Sequence, residues 1–466
     1  MNQTASTPNG ALSLNPNDGQ VIKHFPFDGQ AAVENTLQHT FDGFTQWRSS
    51  DMAQRVGLLR AIAAQLRQQA RPLAQLMTQE MGKVIAQSLA EVEKCAKLCE
   101  WYAENGPAFL ARESTTVENN KAYVDYLPIG PILAVMPWNF PIWQVLRGAV
   151  PIILAGNSYL LKPAPNVMGS SYMLHDILTK AGTPAGVFSI INADNDTVAK
   201  VIKDRRIAAV TVTGSVRAGG AIAGLAGAAI KKCVLELGGS DAFIVLADAD
   251  IDAAVKAAIG GRFVNNGQIC IAAKRIMVDN AVFDEFSEKF IAAVKAMKVG
   301  DPQLDDTYIG PMARYDLRDE LDAQVQATIK EGAKCLLGGH KIAGEGNFYA
   351  PTILSEVTPG MTSFKQELFG PVASLIRIDN AEHAIKLAND SEFGLSGSLW
   401  SKDIEAAKKL ASRIDTGGVF INSSSFTDPR VPIGGVKNSG FGRELSHFGI
   451  REFTNAQTVW IETVAS

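Results

Sequence analysis

Residues 208–216 read Ala208-Ala209-Val210-Thr211-Val212-Thr213-Gly214-Ser215-Val216, followed after Arg217 by small and apolar residues as far as Ala229. A short apolar run that ends in a hydroxyl, a glycine and a second hydroxyl, then turns helical, reads as a strand feeding a helix. The unit recurs upstream: Ile132–Met136 and Ser158–Lys162 read as strands, a helix follows from about Asn166 to Ala181, and Val187–Ile191 reads as another strand. Strands alternating with helices predict a parallel, doubly wound α/β sheet. Ligands on such sheets lie beyond the carboxyl ends of the strands. The residues to watch are therefore Pro137–Asn139, Lys162–Pro163 and Thr213–Ser215.

A second α/β series is expected from about Val234. Its strands are Ala242–Val245, Arg275–Val278, Val372–Ile378, Ser396–Trp400 and Gly418–Asn422. Its helices are Asp252–Phe263, Phe283–Met297, Arg314–Glu331, Ala381–Asn389 and Ile404–Ser412, with a turn-rich stretch at Gly300–Pro311. On the amino-terminal side, residues 28–110 read as helical. Met52–Leu76 places Val56, Leu59, Ile62, Ala63 and Leu66 at helical spacing, and Ala90–Tyr102 carries Cys95 and Cys99 four apart on one face. Residues 115–126 read as extended and end at Pro128-Ile129-Gly130-Pro131. The tail Gln457–Glu462 alternates like a strand, and a strand at a terminus leaves an edge that a second chain can pair.

The chain has 466 residues, which predicts two or three domains. Apolar residues make up 46% and charged residues 20%, as in globular proteins. Lys plus Arg number 44 against 48 Asp plus Glu, a net charge of −4, so nothing favours a nucleic-acid backbone as partner. Five cysteines are too few, and odd in number, for a disulfide framework; reduced thiols in the cytoplasm are expected. Residues 1–20 are polar and lack a secretory pattern. The apolar window Ile142–Leu161 contains Arg147, Gly148, Pro151, Gly156 and Asn157, so it reads as a buried helix, a turn and a strand rather than a membrane span.

Four places could carry chemistry. In Asn265-Asn266-Gly267-Gln268-Ile269-Cys270, a loosened backbone can project a thiol into a cleft, although a free cysteine is commonly a small buried hydrophobe. None of the six histidines lies near it in sequence, so a base would be a carboxylate. Glu236, between Leu235 and Leu237 and before Gly238-Gly239, is such a candidate, because apolar surroundings raise a carboxyl pKa; an ordinary ion pair is the alternative. Thr213-Gly214-Ser215 offers a helix N-terminus suited to phosphate, without the full dinucleotide fingerprint. Asn139, held between Pro137 and Pro141, could donate to an oxyanion or simply occupy a turn.

Together with Lys162-Pro163-Ala164, Glu367-Leu368-Phe369-Gly370-Pro371 and Gly434-Gly435-Val436-Lys437-Asn438-Ser439-Gly440, these motifs resemble the aldehyde dehydrogenase superfamily, from about residue 10 to the carboxyl terminus. The stretches 162–169 and 440–449 look like the shorter bacterial succinate-semialdehyde dehydrogenases. The resemblance implies a Rossmann-type cofactor domain (1–114 and 132–234), an α/β catalytic domain (235–445) and a small β oligomerisation arm (115–131 and 446–466) in a homodimer or homotetramer. It implies Cys270 as nucleophile, Glu236 as the base that activates water, and Asn139 as oxyanion donor. It implies NAD, with NADP open, bound by Pro137, Trp138, Lys162, Gly214, Ser215, Leu237, Glu367 and Phe369, and no metal. The family's usual Glu three residues after the lysine is Pro165 here, which removes a repulsion against a 2′-phosphate. Arg147 matches an arginine that succinate-semialdehyde enzymes turn toward the substrate carboxylate; a structural ion pair is equally open. A second such arginine is absent, since Val264 occupies its place and Arg262 lies two residues earlier. A broader medium-chain or aromatic aldehyde preference stays open.

Overall fold

A computed structural model describes residues 6–7, 9–118 and 121–462. The expected strand–helix alternation builds a first sheet in the order Gly440–Phe441, Lys232–Glu236, Ala209–Thr213, Ile132–Val135, Tyr159–Lys162, Phe188–Ile190. The strands run parallel except Gly440–Phe441, which pairs antiparallel with Leu235 and Glu236 at one edge. The chain enters at Ile132–Val135, winds outward through Tyr159–Lys162 to Phe188–Ile190, then returns to Ala209–Thr213 on the other side. The crevice between Ile132–Val135 and Ala209–Thr213 is thus the topological switch point where such sheets take ligands. Beyond it stand Pro137–Asn139 and Gly214-Ser215.

The second sheet runs Lys334–Leu337, Thr352–Ser355, Val372–Ile378, Ala273–Asp279, Asp241–Val245, Gly397–Trp400, Val419–Ile421, parallel apart from its first strand. Every residue of Asp241–Val245 and Ala273–Asp279 is buried, as expected for strands covered on both faces. A three-stranded antiparallel sheet joins Thr454–Trp460, Ala122–Pro128 and Glu113–Ser114.

Several expectations need correction. The second series starts at Asp241, not near Val234, because Lys232–Glu236 pairs residue for residue with Ala209–Thr213 in the first sheet. The helix expected over Met52–Leu76 is two, Met52–Gln68 and Ala70–Met81. Asp51 starts the first with a reciprocal cap on Gln54. Pro72 ends its continuity: with no N–H and a ring that crowds the carbonyl four residues back, it is tolerated only in a first turn. Thr115–Val117 is not a strand, because the Thr115 hydroxyl accepts from the Val117 N–H and closes a local turn. The tail strand runs over Thr454–Trp460 and finds its partner within the chain, pairing along its length with Ala122–Pro128. The strands Gly10–Leu14 and Val21–Pro26 and the helix Asn195–Lys203 were not anticipated.

Met52–Gln68, Ile85–Phe109 and Trp143–Leu154 pack together against the first sheet, and Leu59, Ile62, Cys95, Cys99, Leu146 and Ile153 share one core. Cys95 and Cys99 occupy the common face expected of them; burial pushes the Cys99 thiol up to about 12, so it stays protonated. The helix Gln30–Trp47 meets the turn before Phe188–Ile190 through Gly43, where an added Cβ would lie 2.4 Å from the Gly186 carbonyl carbon and 2.7 Å from the Ala185 oxygen. Backbone cannot move aside as a side-chain tip can. Gly43→Ala is therefore expected to destabilise by about 1–3 kcal/mol despite its gain in helix propensity, read as a lower chemical-denaturation midpoint. An unchanged or higher midpoint would show that this contact is loose.

Candidate active site

The turn before Cys270 is built from residues in left-handed backbone. Asn265 and Asn266 have φ of 56° and 55°, and Gly267 follows at 71°. Asparagine tolerates this region through its short polar side chain. Gly267 has a second reason: a Cβ there would lie 2.3 Å from the Gly370 carbonyl oxygen. The asparagines hold the turn from inside. Asn266 Nδ2 donates to the Gly82 carbonyl at 3.0 Å and the Pro311 carbonyl at 2.9 Å, and its Oδ1 accepts from the Gly310 N–H. Asn265 Nδ2 donates to the Asn139 carbonyl at 2.9 Å.

Behind the turn lies Arg262, fully buried, with no carboxylate within ion-pair distance among the described residues. It donates to the carbonyls of Gly267 (3.1 Å), Leu368 (2.9 Å), Gly370 and Val372. It thus binds the Cys270 turn to the segment that carries Glu367 and Phe369, and is turned away from any substrate. Burial pulls its pKa down to about 9, with Glu367 opposing.

Cys270, Asn139, Pro137, Trp138, Gly214, Ser215, Leu237, Glu367 and Phe369 all line one cleft of about 890 Å³. Asn139 Nδ2 donates to the Gln268 carbonyl at 2.9 Å, which fixes the amide two residues from the thiol. An Asn amide nitrogen carries two hydrogens, so one donor is left over. Ser215 caps the 13-residue helix Val216–Ala228, its Oγ accepting from Ala218 N–H at 3.3 Å. Next to it, a Cβ on Gly214 would meet nothing within 4 Å. Such an open helix N-terminus suits the pyrophosphate of a dinucleotide. At the other end, Glu367 Oε1 accepts from the Gly239 N–H at 3.1 Å and pairs with Lys274 at 3.0 Å. Gly238 permits this approach, since a Cβ there would lie 2.4 Å from Glu367 Oε2. Trp138 and Phe369 meet edge to face at 5.7 Å.

Lys162 does not line the cleft. It ends the strand Tyr159–Lys162, and burial alone pulls its pKa down to about 8. Glu236 is also off the cleft wall, buried at the end of its strand. Burial pushes its carboxyl above the ordinary range; Arg147 and Arg443 oppose this and Glu444 adds to it. Arg147 is buried too and forms an ion pair with Glu444. Its guanidinium does not line the cleft, so its observed partner is the structural ion pair of the two options left open. Burial pushes the Cys270 thiol up to about 11; Lys274 and Arg147 hold it down, while Glu367 and Glu236 raise it.

Two participants were not singled out from sequence. Lys274 has a fully buried ammonium that donates to the carbonyls of Ile269 (2.9 Å) and Cys270 (2.6 Å) as well as pairing Glu367. The signal available was a lysine near the start of a fully buried strand, four residues after the thiol. Glu444 stood inside a recognised motif, but its partner is 297 positions away.

The sequence model described as "Aldehyde dehydrogenase family" matches residues 4–459. The chain is 56% identical to the succinate semialdehyde dehydrogenase of Escherichia coli (strain K12), named for NAD(P)+, over 97% of this chain and 98% of that one. It is 47% identical to a probable NADP+ succinate-semialdehyde dehydrogenase of Synechocystis sp., over 96% and 99%. Among solved structures it is similar to the succinic semialdehyde dehydrogenase of Streptococcus pyogenes in complex with NADP+, with a TM-score of 0.95 and 35% identity, over 97% and 100% of the two chains.

The Arg262 clamp makes a sharp expectation. Arg262→Met leaves carbonyls of two segments without a donor, and each such loss costs about 1–3 kcal/mol. Lysine lacks the planar fork, so Arg262→Lys should also fail to restore the midpoint of thermal unfolding. Wild-type stability in either variant would remove the clamp from the account.

Proposed function

Since the chain belongs to the aldehyde dehydrogenase family, we propose that it oxidises succinate semialdehyde to succinate with NAD(P)+. The substrate class rests on relatives that carry that name at 43–56% identity over nearly the whole chain. The observation that carries the chemistry is a thiol and a spare amide donor lining the same cleft as a helix N-terminus, with the buried, high-pKa carboxyl of Glu236 close enough to act on the thiol's charge.

In the proposed mechanism the Cys270 thiolate attacks the aldehyde carbon. The free N–H of Asn139 and the Cys270 backbone N–H hold the oxyanion of the thiohemiacetal. When bound, the cofactor serves as hydride acceptor. Ser215 and Gly214 would seat its pyrophosphate, Glu367 and Phe369 its nicotinamide end, and Lys162 and Pro165 its adenosine end. With no carboxylate at Pro165, both NAD and NADP are accommodated. Glu236 takes a proton from the water that hydrolyses the thioester; its burial supplies the raised pKa that this role needs. Arg147 is read here as the partner of Glu444, holding a cation beside Glu236 and Cys270. Burial opposes its charge, and Glu444, Glu236 and Cys270 favour it, so that it stays protonated.

We place the enzyme in the cytoplasm as a homodimer or homotetramer. The strand Thr454–Trp460 has an outer edge, and Trp460 and Ile461 are 55% and 49% exposed beside it. Among the described residues, no helix is long and apolar enough to cross a membrane.

The deciding experiment compares kcat/KM for succinate semialdehyde and butanal with each cofactor. A clear advantage for the semialdehyde is expected; equal values would favour a broad aldehyde dehydrogenase. Cys270→Ala should abolish oxidation of both. Glu236→Gln should leave a burst of product stoichiometric with enzyme, followed by turnover about 10²–10⁴-fold slower. Any multiple-turnover oxidation by Cys270→Ala would end the mechanism.

A pH expectation follows from the two raised groups. The thiolate and the Glu236 carboxylate are the active forms, and both pKa values are shifted upward, so each active fraction grows as pH rises. kcat/KM for butanal should therefore climb from pH 6 to pH 9. A flat profile would show that neither group limits the reaction in its raised state.

A further inference from the structure

The helix Ile85–Phe109 turns two side chains toward the reactive end of the molecule, and neither of them lines the cleft. Gln87 Oε1 accepts from the Asn265 N–H at 2.7 Å, at the entry to the thiol turn. Glu91 Oε1 accepts from the N–H groups of Ile142 (3.0 Å) and Trp143 (2.9 Å), just beyond Asn139. Residues four apart share one face of a helix. One rigid rod therefore holds both the segment that carries the thiol and the segment that carries the amide.

The two anchors work differently. Glu91 is buried, and its second oxygen pairs with the buried Lys83, whose ammonium lies 3.8 Å from the centroid of the Phe140 ring. Ile142 and Trp143 lead into the helix Trp143–Leu154, whose first N–H groups have no partner within the helix. A carboxylate is favoured at that positive end, so charge fixes the Asn139 segment. The entry to the thiol turn is held instead by Gln87, a neutral and half-buried amide. Asn265 and Asn266 stand there in left-handed backbone, which persists only where the surroundings impose it. Two more bonds carry the position of the turn to the amide. Asn265 Nδ2 donates to the Asn139 carbonyl at 2.9 Å, and Asn139 Nδ2 donates to the Gln268 carbonyl at 2.9 Å. The turn thus aims the N–H that Asn139 has to spare, and Gln87 holds the turn.

We propose that Gln87 is a positioning residue of the oxyanion hole: from the helix face it shares with Glu91, it sets the Asn265 turn against the Asn139 segment so that the spare amide N–H meets the thiohemiacetal oxygen. This deepens the aldehyde-oxidation reading above and rests on it. Gln87 lies off the cleft, so it acts through Asn139 rather than on the substrate. Gln87→Met keeps the length of the side chain and removes the acceptor, and no charge is stranded by it.

The test compares wild type, Gln87→Met, Gln87→Glu, Asn139→Ala and the double variant Gln87→Met/Asn139→Ala. It measures kcat/KM for succinate semialdehyde and butanal, and the rate at which iodoacetamide alkylates Cys270. Alkylation at a saturated carbon forms no oxyanion, so it reads the thiol without the hole. Removing an oxyanion donor costs about 10²–10³-fold, the loss expected for Asn139→Ala. A misplaced donor costs less, and Gln87→Met should lower kcat/KM about 10- to 100-fold on both aldehydes. Glutamate keeps an acceptor for the Asn265 N–H, so Gln87→Glu should recover part of that loss. Alkylation should stay close to the wild-type rate in the Gln87 variants. In the Asn139→Ala background, Gln87→Met should cost nothing further, because its effect runs through the missing amide. Wild-type kcat/KM in Gln87→Met would overturn the assignment. So would the full loss repeated in the Asn139→Ala background, or a parallel fall in alkylation, either of which marks a general structural role. A wild type that oxidises neither aldehyde would instead bring down the aldehyde reading, and the inference with it.

Discussion

The guanidinium of Arg262 is the tie on which the reactive end of the molecule depends. The carbonyls it binds belong to two segments far apart in sequence, the turn at Gly267 and the stretch Leu368–Val372. Neither segment is regular enough to satisfy its own backbone, and a buried carbonyl without a donor is costly. One rigid fork of five N–H groups settles that cost at a single point. It also fixes the spacing between Cys270 and the pair Glu367–Phe369, which stand at one end of the cleft. The close approach of Gly267 to the Gly370 oxygen is the same constraint seen from the backbone side.

Around that frame the buried charges are arranged in two groups. Lys274 and Glu367 form one, on the cleft side, with Lys274 also bound to the carbonyl of the residue proposed as nucleophile. Arg147 and Glu444 form the other, next to Glu236. Lys274 and Arg147 lower the cost of a thiolate at Cys270, and Glu367 and Glu236 raise it. The net outcome is a thiol whose pKa burial raises and these two cations hold down. The pairs also insulate each other: an ion pair presents a smaller field to its surroundings than a lone charge does. Glu236 keeps a raised pKa beside Arg147 because its burial outweighs that cation and the Glu444 carboxylate adds to the rise.

Much of this was legible from sequence wherever the signal is local. Gly214 and Ser215 follow a strand and open a helix, so their place at the switch point could be read from a dozen residues. The thiol turn announced itself through consecutive asparagines and a glycine, residue types that accept left-handed backbone. What failed was long-range pairing. Lys232–Glu236 looked like the start of a new series because nothing in five residues says which sheet they will join. The tail strand looked unpartnered because its mate at Ala122–Pro128 lies more than 300 positions earlier. Arg147 could be read two ways because the motif around it fixes its position and not its neighbour. Lys274 and Arg262 were invisible as tethers since their work is done on backbone carbonyls, which every sequence has.

The Glu444 pairing has a further consequence for how such a site can recognise an anionic substrate. A guanidinium that must stabilise a buried carboxylate cannot be turned to a substrate without stranding that carboxylate, and an unpaired buried charge costs more than the new contact returns. Recruiting Arg147 for substrate would therefore also disturb Glu236, coupling binding of the anionic end to the basicity needed for hydrolysis.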